Sequence, residues 1–361
     1  MSLYDYTGKK LPVGGGDITP DAVKKAFLSA IADGSVNLGS AIGATLTYNG
    51  LPDAWITNAT AAYTAMLNRY KELANGAIPF FISTDQHGNG VEQHRWVNNV
   101  DKDGMNLANI NLGDTVVDYF NHATLSDVLG RTRQVKNYIS ITGNHDAYWR
   151  GNDVPSVYDL TRYFHSTYKR DVIPKQNSSY VVLDGEHSVK YVVVDSYFDV
   201  NTTKNSIGND KLTGELAEWL IGELGKDDYD IVYLQHWMLY APASTYQYRD
   251  GSKDTNNIGG SSALKDLVTA RKNKASGTVT DKDGVSHPYD FTECKHELLC
   301  ALHGHEHAEV YAKINSLLCY VSDRYGDTKS CVFGIVDRMS RKLRIWKFDT
   351  GTVYDELVLD L

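Results

Sequence analysis

Five short apolar runs in this chain each end in a cluster of polar residues, and this arrangement constrains the fold more than any other feature. Each run leads directly into Asp, Asn or His residues, and the runs cover residues 78–83, 108–112, 138–142, 231–234 and 298–302. Apolar runs of this length, bounded by polar clusters, are typical of buried strands in an α/β sheet. Ligands of such sheets bind outside the carboxyl ends of the strands. The sequence therefore predicts one site built at those ends.

The polar residues after these runs are of the types that bind transition metals. They form five blocks in chain order, namely Asp85-x-His87, Gly113-Asp114, Gly143-Asn144-His145-Asp146, His236 and Gly304-His305-x-His307. Asp, Asn and His offer oxygen and imidazole nitrogen, which suit Zn, Mn, Fe and Ni. A lone histidine at a strand end is more often a hydrogen-bonded core residue, but D-x-H and H-x-H spacings let two side chains point the same way. Glycines before Asp114, Asn144 and His305 allow sharp turns and close approach to an ion.

Taken in order, the five blocks resemble the signature of the calcineurin-like metallophosphoesterase superfamily, over about residues 78–310. The segment from Leu212 to Leu224, which contains Glu215 and Trp219 and precedes a strand and His236, also resembles the class III cyclic-nucleotide phosphodiesterase branch. The resemblance implies an α/β (α+β) fold. Specifically, it implies a four-layer αββα sandwich of two mixed β-sheets flanked by helices, with the site at the strand ends.

Carried over to this chain, the resemblance implies two adjacent divalent or transition metal ions (Mn, Fe, Zn or Ni). The first ion would be held by Asp85, His87 and His307. The second would be held by Asn144, His236 and His305, and Asp114 would bridge the two. In such a site the metal pair lowers the pKa of a bridging water, and the resulting hydroxide attacks phosphorus.

Three further positions carry roles that are implied or left open. His145 resembles the histidine that stabilises the transition state or protonates the leaving oxygen. Asp146 either orients His145 or caps the following turn. Some family members have an aspartate three residues after the bridging one, where this chain has Val117, so the partner of His145 stays open. No family rule covers His303, for which substrate contact and a structural role are both open. His94 and Asn89, in the loop after the first ligand pair, are weaker candidates for phosphate contact.

The composition fits a globular protein and disfavours several other functions. With 361 residues, 42% of them hydrophobic, the chain can bury a large core. The formal net charge is −9 without a basic block, which disfavours general nucleic-acid binding. The positive charge needed to bind phosphate would then come from the metals. No phosphate-binding G-x-x-x-x-G-K-[ST] loop and no G-x-S-x-G nucleophile motif occurs.

The cysteines and the termini bear on the expected compartment. Four cysteines without zinc-ribbon spacing are expected to be reduced, mostly buried thiols. The first ten residues are polar, and no run approaches the roughly 20 apolar residues of a membrane span. We therefore predict no signal peptide, no membrane association and a cytoplasmic location.

The sequence predicts two regions, a helical N-terminal extension over residues 1–75 and a metallophosphoesterase domain over 76–361. Helical spacing of apolar residues covers 23–31 and about 53–75, and a further helix is predicted over about 124–135. Residues 242–292 are polar and Gly-rich, with one helix near 262–272, and are predicted to be an insertion that rims the site. The alternating tail, 308–361, predicts four or five antiparallel strands.

The predicted function is hydrolysis of a small-molecule phosphate ester. The Gly-Asn-His-Asp block and the Trp219 segment favour a diester, and a monoester stays open. An alternative function is suggested by the segment from Tyr4 to Lys10 and the Gly-rich segment after it. Both resemble leaders of phage- or surface-associated modules. In that case the extension would dock the protein or form homo-oligomers, the fold would serve for binding, and the location would be a phage particle. The complete ligand set argues against a purely structural role.

Overall fold

The computed structural model describes most of the chain from residue 50 onward, and these residues belong to one compact unit. The described ranges are 50–73, 76–87, 91–101, 105–115, 132, 135–147, 170–171, 179–195, 212–242, 244–254, 261–326 and 328–361. The predicted helix at 23–31, most of the one at 124–135, the Gly-rich segment, Asn89 and Val117 lie outside them. The predicted boundary at residue 75 stays a prediction.

Five helices and sixteen strands occur in the described residues. The helices are α1 (Asp53–Glu72), α2 (Glu92–Val100), α3 (Asn144–Ala147), α4 (Gly214–Gly225) and α5 (Ser262–Lys272). The first eight strands are β1 (Ala77–Ser83), β2 (Ala108–Asn111), β3 (Tyr138–Ser140), β4 (Arg170–Asp171), β5 (Tyr180–Asp184), β6 (Val189–Val194), β7 (Asp230–Gln235) and β8 (Gln247–Tyr248). The others are β9 (Ser276–Thr280), β10 (Ser286–Asp290), β11 (Leu298–His303), β12 (Val310–Ile314), β13 (Leu317–Val321), β14 (Cys331–Asp337), β15 (Lys342–Phe348) and β16 (Leu357–Asp360).

Most of these strands form two mixed sheets. The first has the order β16-β15-β14-β1-β2-β3, in which β1, β2 and β3 run parallel and the remaining pairs are antiparallel. The second has the order β4-β5-β6-β7-β11-β13-β12-β8, with β6, β7, β11 and β13 parallel. Strands β9 and β10 form a separate hairpin. The parallel strands of both sheets include all five apolar runs singled out in the sequence.

Side chains on the inner faces of the two sheets pack into one core. This core joins the sheets through residues such as Ile78, Ile110, Val332, Val193, Leu234 and Leu302. Alternation along β7 places Val232 and Leu234 in this core and turns Ile231 and Tyr233 to the outer face. There they pack with the apolar sides of α4 and α5. Since α1 and α2 bury their own apolar residues on the first sheet, the fold is the predicted αββα sandwich.

Helix α1 covers the outer face of the first sheet. Its apolar stripe is buried, and Trp55 is fully enclosed, with its ring 5.3 Å from that of Phe348 and 5.5 Å from that of Trp96. The indole N–H of Trp55 donates to the Lys329 carbonyl at 2.8 Å. This helix, predicted over about 53–75, therefore belongs to the packed layers of the fold.

The tail divides between the two sheets. Five strands occur there, as predicted, and the pairings of β12 with β13, β14 with β15 and β15 with β16 are antiparallel. However, β13 also pairs in parallel with β11, whereas β14 crosses to the first sheet and pairs with β1. Within the described part of residues 242–292, β8 pairs with β12, while α5 and the β9–β10 hairpin pack against α4.

Strand β11 contains a bulge that interrupts its alternation. Leu298 pairs with Ile231 and Cys300 with the next residue, Val232, so Leu299 is the extra residue. Leu299 and Cys300 both lie in the core between the sheets, which regular alternation would not allow. All four cysteines are buried thiols, as expected. Among the described helices, none has the length and apolar character needed to cross a membrane.

Candidate metal centre

The predicted ligands converge where the carboxyl ends of both sheets meet. Candidate ligand atoms within 4.8 Å of one another define three groups, which are Asp85–His87–His307, His87–Asp114–His145 and Asp114–His236–His305. The first group matches the predicted first metal site, and the third matches the second site together with the bridging aspartate. Asp114 belongs to two groups, which places it between the two clusters. The structure thus brings six of the seven predicted ligands together.

The seventh predicted ligand, Asn144, is the first residue of helix α3. It directly follows Gly143, whose position is fixed beside Asp114 as described below. The side chain of Asn144 lies outside the described part of the structure. Its role as a ligand stays a prediction.

Backbone hydrogen bonds hold the ligand-bearing loops together. Asp85 N–H donates to the Gly113 carbonyl at 3.0 Å, and His87 N–H donates to the Asp114 carbonyl at 2.9 Å. In the second sheet, Gly304 N–H donates to the His236 carbonyl at 2.9 Å. A bond from His305 N–H to Asp85 Oδ2, at 3.0 Å, then joins the two sheets. Backbone hydrogen bonds therefore hold the loops within each sheet, and the Asp85 carboxylate links the loops of the two sheets.

Five of the ligand residues adopt left-handed backbone conformations, which are uncommon for residues other than glycine. Their φ angles are 53° at Asp85, 46° at His87, 51° at Asp114, 74° at His305 and 55° at His307. Each such residue costs roughly 1–3 kcal/mol and persists where the surrounding structure fixes it. The concentration of strained residues at one sheet edge is typical of a functional site.

Two glycines allow the loops to approach each other closely. A Cβ added at Gly143 would lie 2.2 Å from Asp114 Oδ1, and one added at Gly304 would lie 2.1 Å from Thr84 Oγ1. Any side chain at either position would displace the loop that holds Asp85 or Asp114. The glycines of the sequence motif are therefore required by contact distances between loops.

The site buries two carboxylates that call for positive charge. Asp85 is 0% exposed and Asp114 is 1% exposed. Burial acts to raise the pKa of Asp85, but the hydrogen bond with His307 and the charge of His236 hold this pKa well below its ordinary value. Burial acts to lower the pKa of His236, but the charge and hydrogen bond of Asp114 raise it to about 9. The two buried carboxylates thus stabilise positive charge in the site, as the raised pKa of His236 shows.

The remaining donors have the state and orientation that metal ligands require. Burial and the charge of His236 lower the pKa of His305 to about 4, and burial lowers the pKa of His87, so both rings favour the neutral form. The Nδ1 of His236 donates to the Leu112 carbonyl at 2.6 Å, which directs Nε2 toward Asp114 Oδ2 at 3.4 Å. Asp85 Oδ1 is buried and lies 3.2 Å from His307 Nε2. This donor set fits divalent metal ions.

His145 contacts two of the predicted ligands, His87 through its ring and Asp114 through its backbone. Its ring centroid is 4.6 Å from that of His87, in an edge-to-face arrangement, and its side chain is half-buried. Its backbone N–H donates to Asp114 Oδ1 at 2.8 Å. The buried Asp146 carboxylate accepts from Gly143 N–H at 2.9 Å, which closes the turn that precedes Asp146. Capping of the following turn by Asp146 stays a prediction. An orienting role of Asp146 toward His145 stays a prediction.

Trp237 contacts the site although the sequence analysis did not select it. Its ring stacks on the His305 imidazole, with centroids 3.9 Å apart and planes 22° from parallel. The hydrogen bond from Gly304 N–H to the His236 carbonyl places these two segments side by side. The residues that follow them, His305 and Trp237, therefore lie next to each other. The signal available in the sequence was only its position after His236.

Two other histidines near the ligands in sequence are fully buried and hydrogen-bonded inside the protein. His303 is 0% exposed, and its Nδ1 donates to the Gln235 carbonyl at 3.1 Å. His94 is also fully buried and shares hydrogen bonds with Ser83, at 2.7 Å, and with Asn109. The suggestion that His94 contacts phosphate is wrong, because helix α2 turns its ring into the core. For His303, the structure supports the structural role.

Comparisons with known proteins add little to this geometry. No protein-family model and no curated protein matches the sequence. Solved structures that match include GAP50, the anchor in the inner membrane complex of Plasmodium, with 11% identity, TM-score 0.45, and 80% of this chain and 90% of that one covered. A phosphopantetheinyl hydrolase from Mycobacterium tuberculosis matches with 11% identity, TM-score 0.37, and 70% and 91% coverage. A predicted phosphoesterase from Streptococcus pneumoniae matches with 12% identity, TM-score 0.31, and 79% and 100% coverage. At these scores the functional assignment depends on the residues of the site.

Proposed function

We propose that this protein is a dinuclear metal-dependent phosphoric ester hydrolase that acts on a small-molecule phosphate ester. The observation that carries the proposal is the overlap of the three ligand groups. Asp114 is shared by the group of His87 and His145 and the group of His236 and His305, and His87 also belongs to the group of Asp85 and His307. This continuous overlap is expected where one carboxylate lies between two ions. Pairs of metal ions a few ångströms apart are typical of enzymes that transfer phosphoryl groups to water.

The residues divide into those that would hold the metals and one that would handle a proton. Asp85, His87 and His307 would hold one ion, Asn144, His236 and His305 the other, and Asp114 both. When bound, the ions supply Lewis acidity and an activated water at neutral pH. Water adds to phosphorus, the bond from phosphorus to the leaving oxygen breaks, and His145 donates a proton to that oxygen. A diester would give a monoester and an alcohol.

A diester is the favoured substrate because the Gly-Asn-His-Asp block and the Trp219 segment resemble the phosphodiesterase branch. In the structure Trp219 lies in helix α4, whose apolar side packs on the second sheet. Trp219 therefore supports the diester assignment only through that resemblance. The metal centre itself is compatible with mono- and diesters.

A chromogenic substrate panel tests the proposal. The protein is loaded separately with Mn, Zn, Ni and Fe, its metal content is determined, and hydrolysis of bis(p-nitrophenyl) phosphate and p-nitrophenyl phosphate is measured. We expect about two ions per chain and faster hydrolysis of the diester.

The Asp114→Asn variant, prepared in the same way, controls for contaminating phosphatases. Hydrolysis of the monoester alone would correct the substrate class and leave the reaction type intact. A protein that binds two ions but hydrolyses neither ester nor any related ester would contradict the proposal.

A further inference from the structure

The loop after strand β13 lies between two loops that carry predicted ligands. Ser322 N–H donates to the His303 carbonyl at 2.9 Å, beside the segment of His305 and His307. Tyr325 N–H donates to the Thr84 carbonyl at 2.8 Å, next to Asp85. Tyr325 is itself buried. Residues 322–325 are therefore fixed at both ends against the metal centre.

Arg324, in the middle of this loop, has an exposed side chain without an acceptor among the described residues. The other arginines with described side chains all donate to carboxylates or backbone carbonyls. They are Arg69, Arg95, Arg249, Arg271, Arg338, Arg341 and Arg344. An arginine with no partner is thus exceptional in this part of the protein, and it stands beside the ligands.

The other cations near His307 are already neutralised. An open groove of about 670 Å³ begins at His307 and contains Arg249 and Lys347. Arg249 makes two bonds to Glu309, of 2.8 and 2.9 Å, and Lys347 donates to Asp323 at 2.8 Å. Neither of these two cations is available to an anion, whereas the guanidinium of Arg324 has no acceptor among the described residues.

We propose that Arg324 is a substrate-binding residue that holds the phosphate group of the ester at the metal centre. This inference rests on the function proposed above. A guanidinium presents a planar fork of donors that matches two phosphate oxygens, and its charge is retained at every relevant pH. The loop geometry fixes where its backbone lies, while its side chain is left free to meet an anion.

The net charge of the protein agrees with this role. It is −9, so an approaching phosphate needs local cations.

The test compares Arg324→Gln and Arg324→Lys with the metal-loaded wild type. Inorganic phosphate is the probe, and its affinity is measured by calorimetry and as an inhibition constant. We expect Arg324→Gln to weaken phosphate binding and raise KM by on the order of 10- to 100-fold, with metal content unchanged. Because the contact is present in ground and transition states alike, kcat should change much less than KM. Arg324→Lys should recover part of the loss.

Arg341→Gln is the matched control. Arg341 is an exposed arginine at the opposite end of the sheets, paired with Glu297 just before β11, and its loss should leave phosphate affinity unchanged. Equal phosphate affinity in Arg324→Gln and wild type would overturn the inference, even if the esters are hydrolysed. Failure of the wild type to hydrolyse any ester would instead overturn the proposed function. In that case, a lower phosphate affinity of Arg324→Gln in the calorimeter would still support Arg324 as an anion-binding residue.

Discussion

The side chain of His145 is separable from the metal ligands, although its backbone contacts one of them. The bond to Asp114 Oδ1 comes from the His145 N–H, so a His145→Ala substitution keeps it. We expect this variant to retain both ions and to lose on the order of 10²–10⁴ in rate as a general acid is removed. The loss should be larger for alkyl esters than for p-nitrophenyl esters, because p-nitrophenolate leaves readily without a proton. Elemental analysis and rates on both ester types provide the measurement.

The Asp114→Asn variant gives the contrasting result for the same site. It neutralises the carboxylate shared by two ligand groups, so metal content and turnover should fall together. If His145→Ala also empties the site, His145 is a ligand and its proposed role is wrong.

Trp237 is expected to orient His305 through stacking. Trp237→Ala removes the ring that lies 3.9 Å from the imidazole, which frees His305 to rotate. We expect metal affinity to fall about 10- to 100-fold, as is typical when a residue that orients a ligand is lost. Trp237→Phe keeps an aromatic face and should recover most of the affinity. Metal titrations of the three proteins measure the effect. Equal weakening in both variants would point to general packing instead of ring stacking.

Residue types at strand ends were enough to predict the ligands, because each ligand lies next to an apolar run in sequence. Trp237 and Arg324 could not be predicted in this way. Their positions depend on which strands are neighbours: β7 beside β11 for Trp237, and β13 beside β11 for Arg324. Strand order is set by packing between segments that are distant in sequence. Sequence motifs do not specify this strand order.

At the scale of single elements, helix α2 carries a buried histidine whose charge is disfavoured. Burial lowers the pKa of His94 from 6.5 to about 4. Between these two values the unfolded chain takes up a proton that the folded protein does not, so the free energy of unfolding decreases as the pH falls. Above about pH 6.5 both states are neutral, and the contribution is absent.

We therefore expect His94→Gln to lose less stability than wild type between about pH 7 and pH 5. Chemical denaturation at both pH values measures the difference. An unchanged pH dependence in His94→Gln would show that another group titrates in this range.

Helix α1 is expected to contribute to stability through its tryptophan. Trp55→Ala leaves a cavity between Trp96 and Phe348 and removes the bond to the Lys329 carbonyl. The free energy of unfolding should fall by about 3–5 kcal/mol. Trp55→Phe should lose less, because the ring contacts are partly kept. Denaturant titrations measure both, and a loss below about 1 kcal/mol in Trp55→Ala would contradict the packing role.

The sequence predicted the strands of the tail but not their distribution. Alternation along 308–361 indicated strands, since side chains point to opposite faces with a period of two. It did not indicate that β14 joins β1 while β13 joins β11, because both partners are apolar on both faces and equally suitable by pattern.

For the molecule as a whole, the metal centre should act as a cross-link between the two sheets. Asp85, His87 and Asp114 follow strands of the first sheet, and His236, His305 and His307 follow strands of the second. Ions that bind only the folded protein should raise the free energy of unfolding, by about 2.7 kcal/mol at 100 times the dissociation constant. Thermal unfolding with and without a chelator measures the difference. Asp114→Asn should show a much smaller response, and an equal response would place the stabilising ions elsewhere.

The register of strand β11 decides which histidines lie at the site. It delivers histidines at positions 303, 305 and 307, so a slip of two residues would keep the same sides inward and offer His303 in place of His305. Metal present during folding would then bind and retain either register. The bulge at Leu299 opposes this error, because a slipped strand would have to move its extra residue against β7 and disturb the core between the sheets. We therefore expect the bulge to favour the register that brings His305 and His307 to the site.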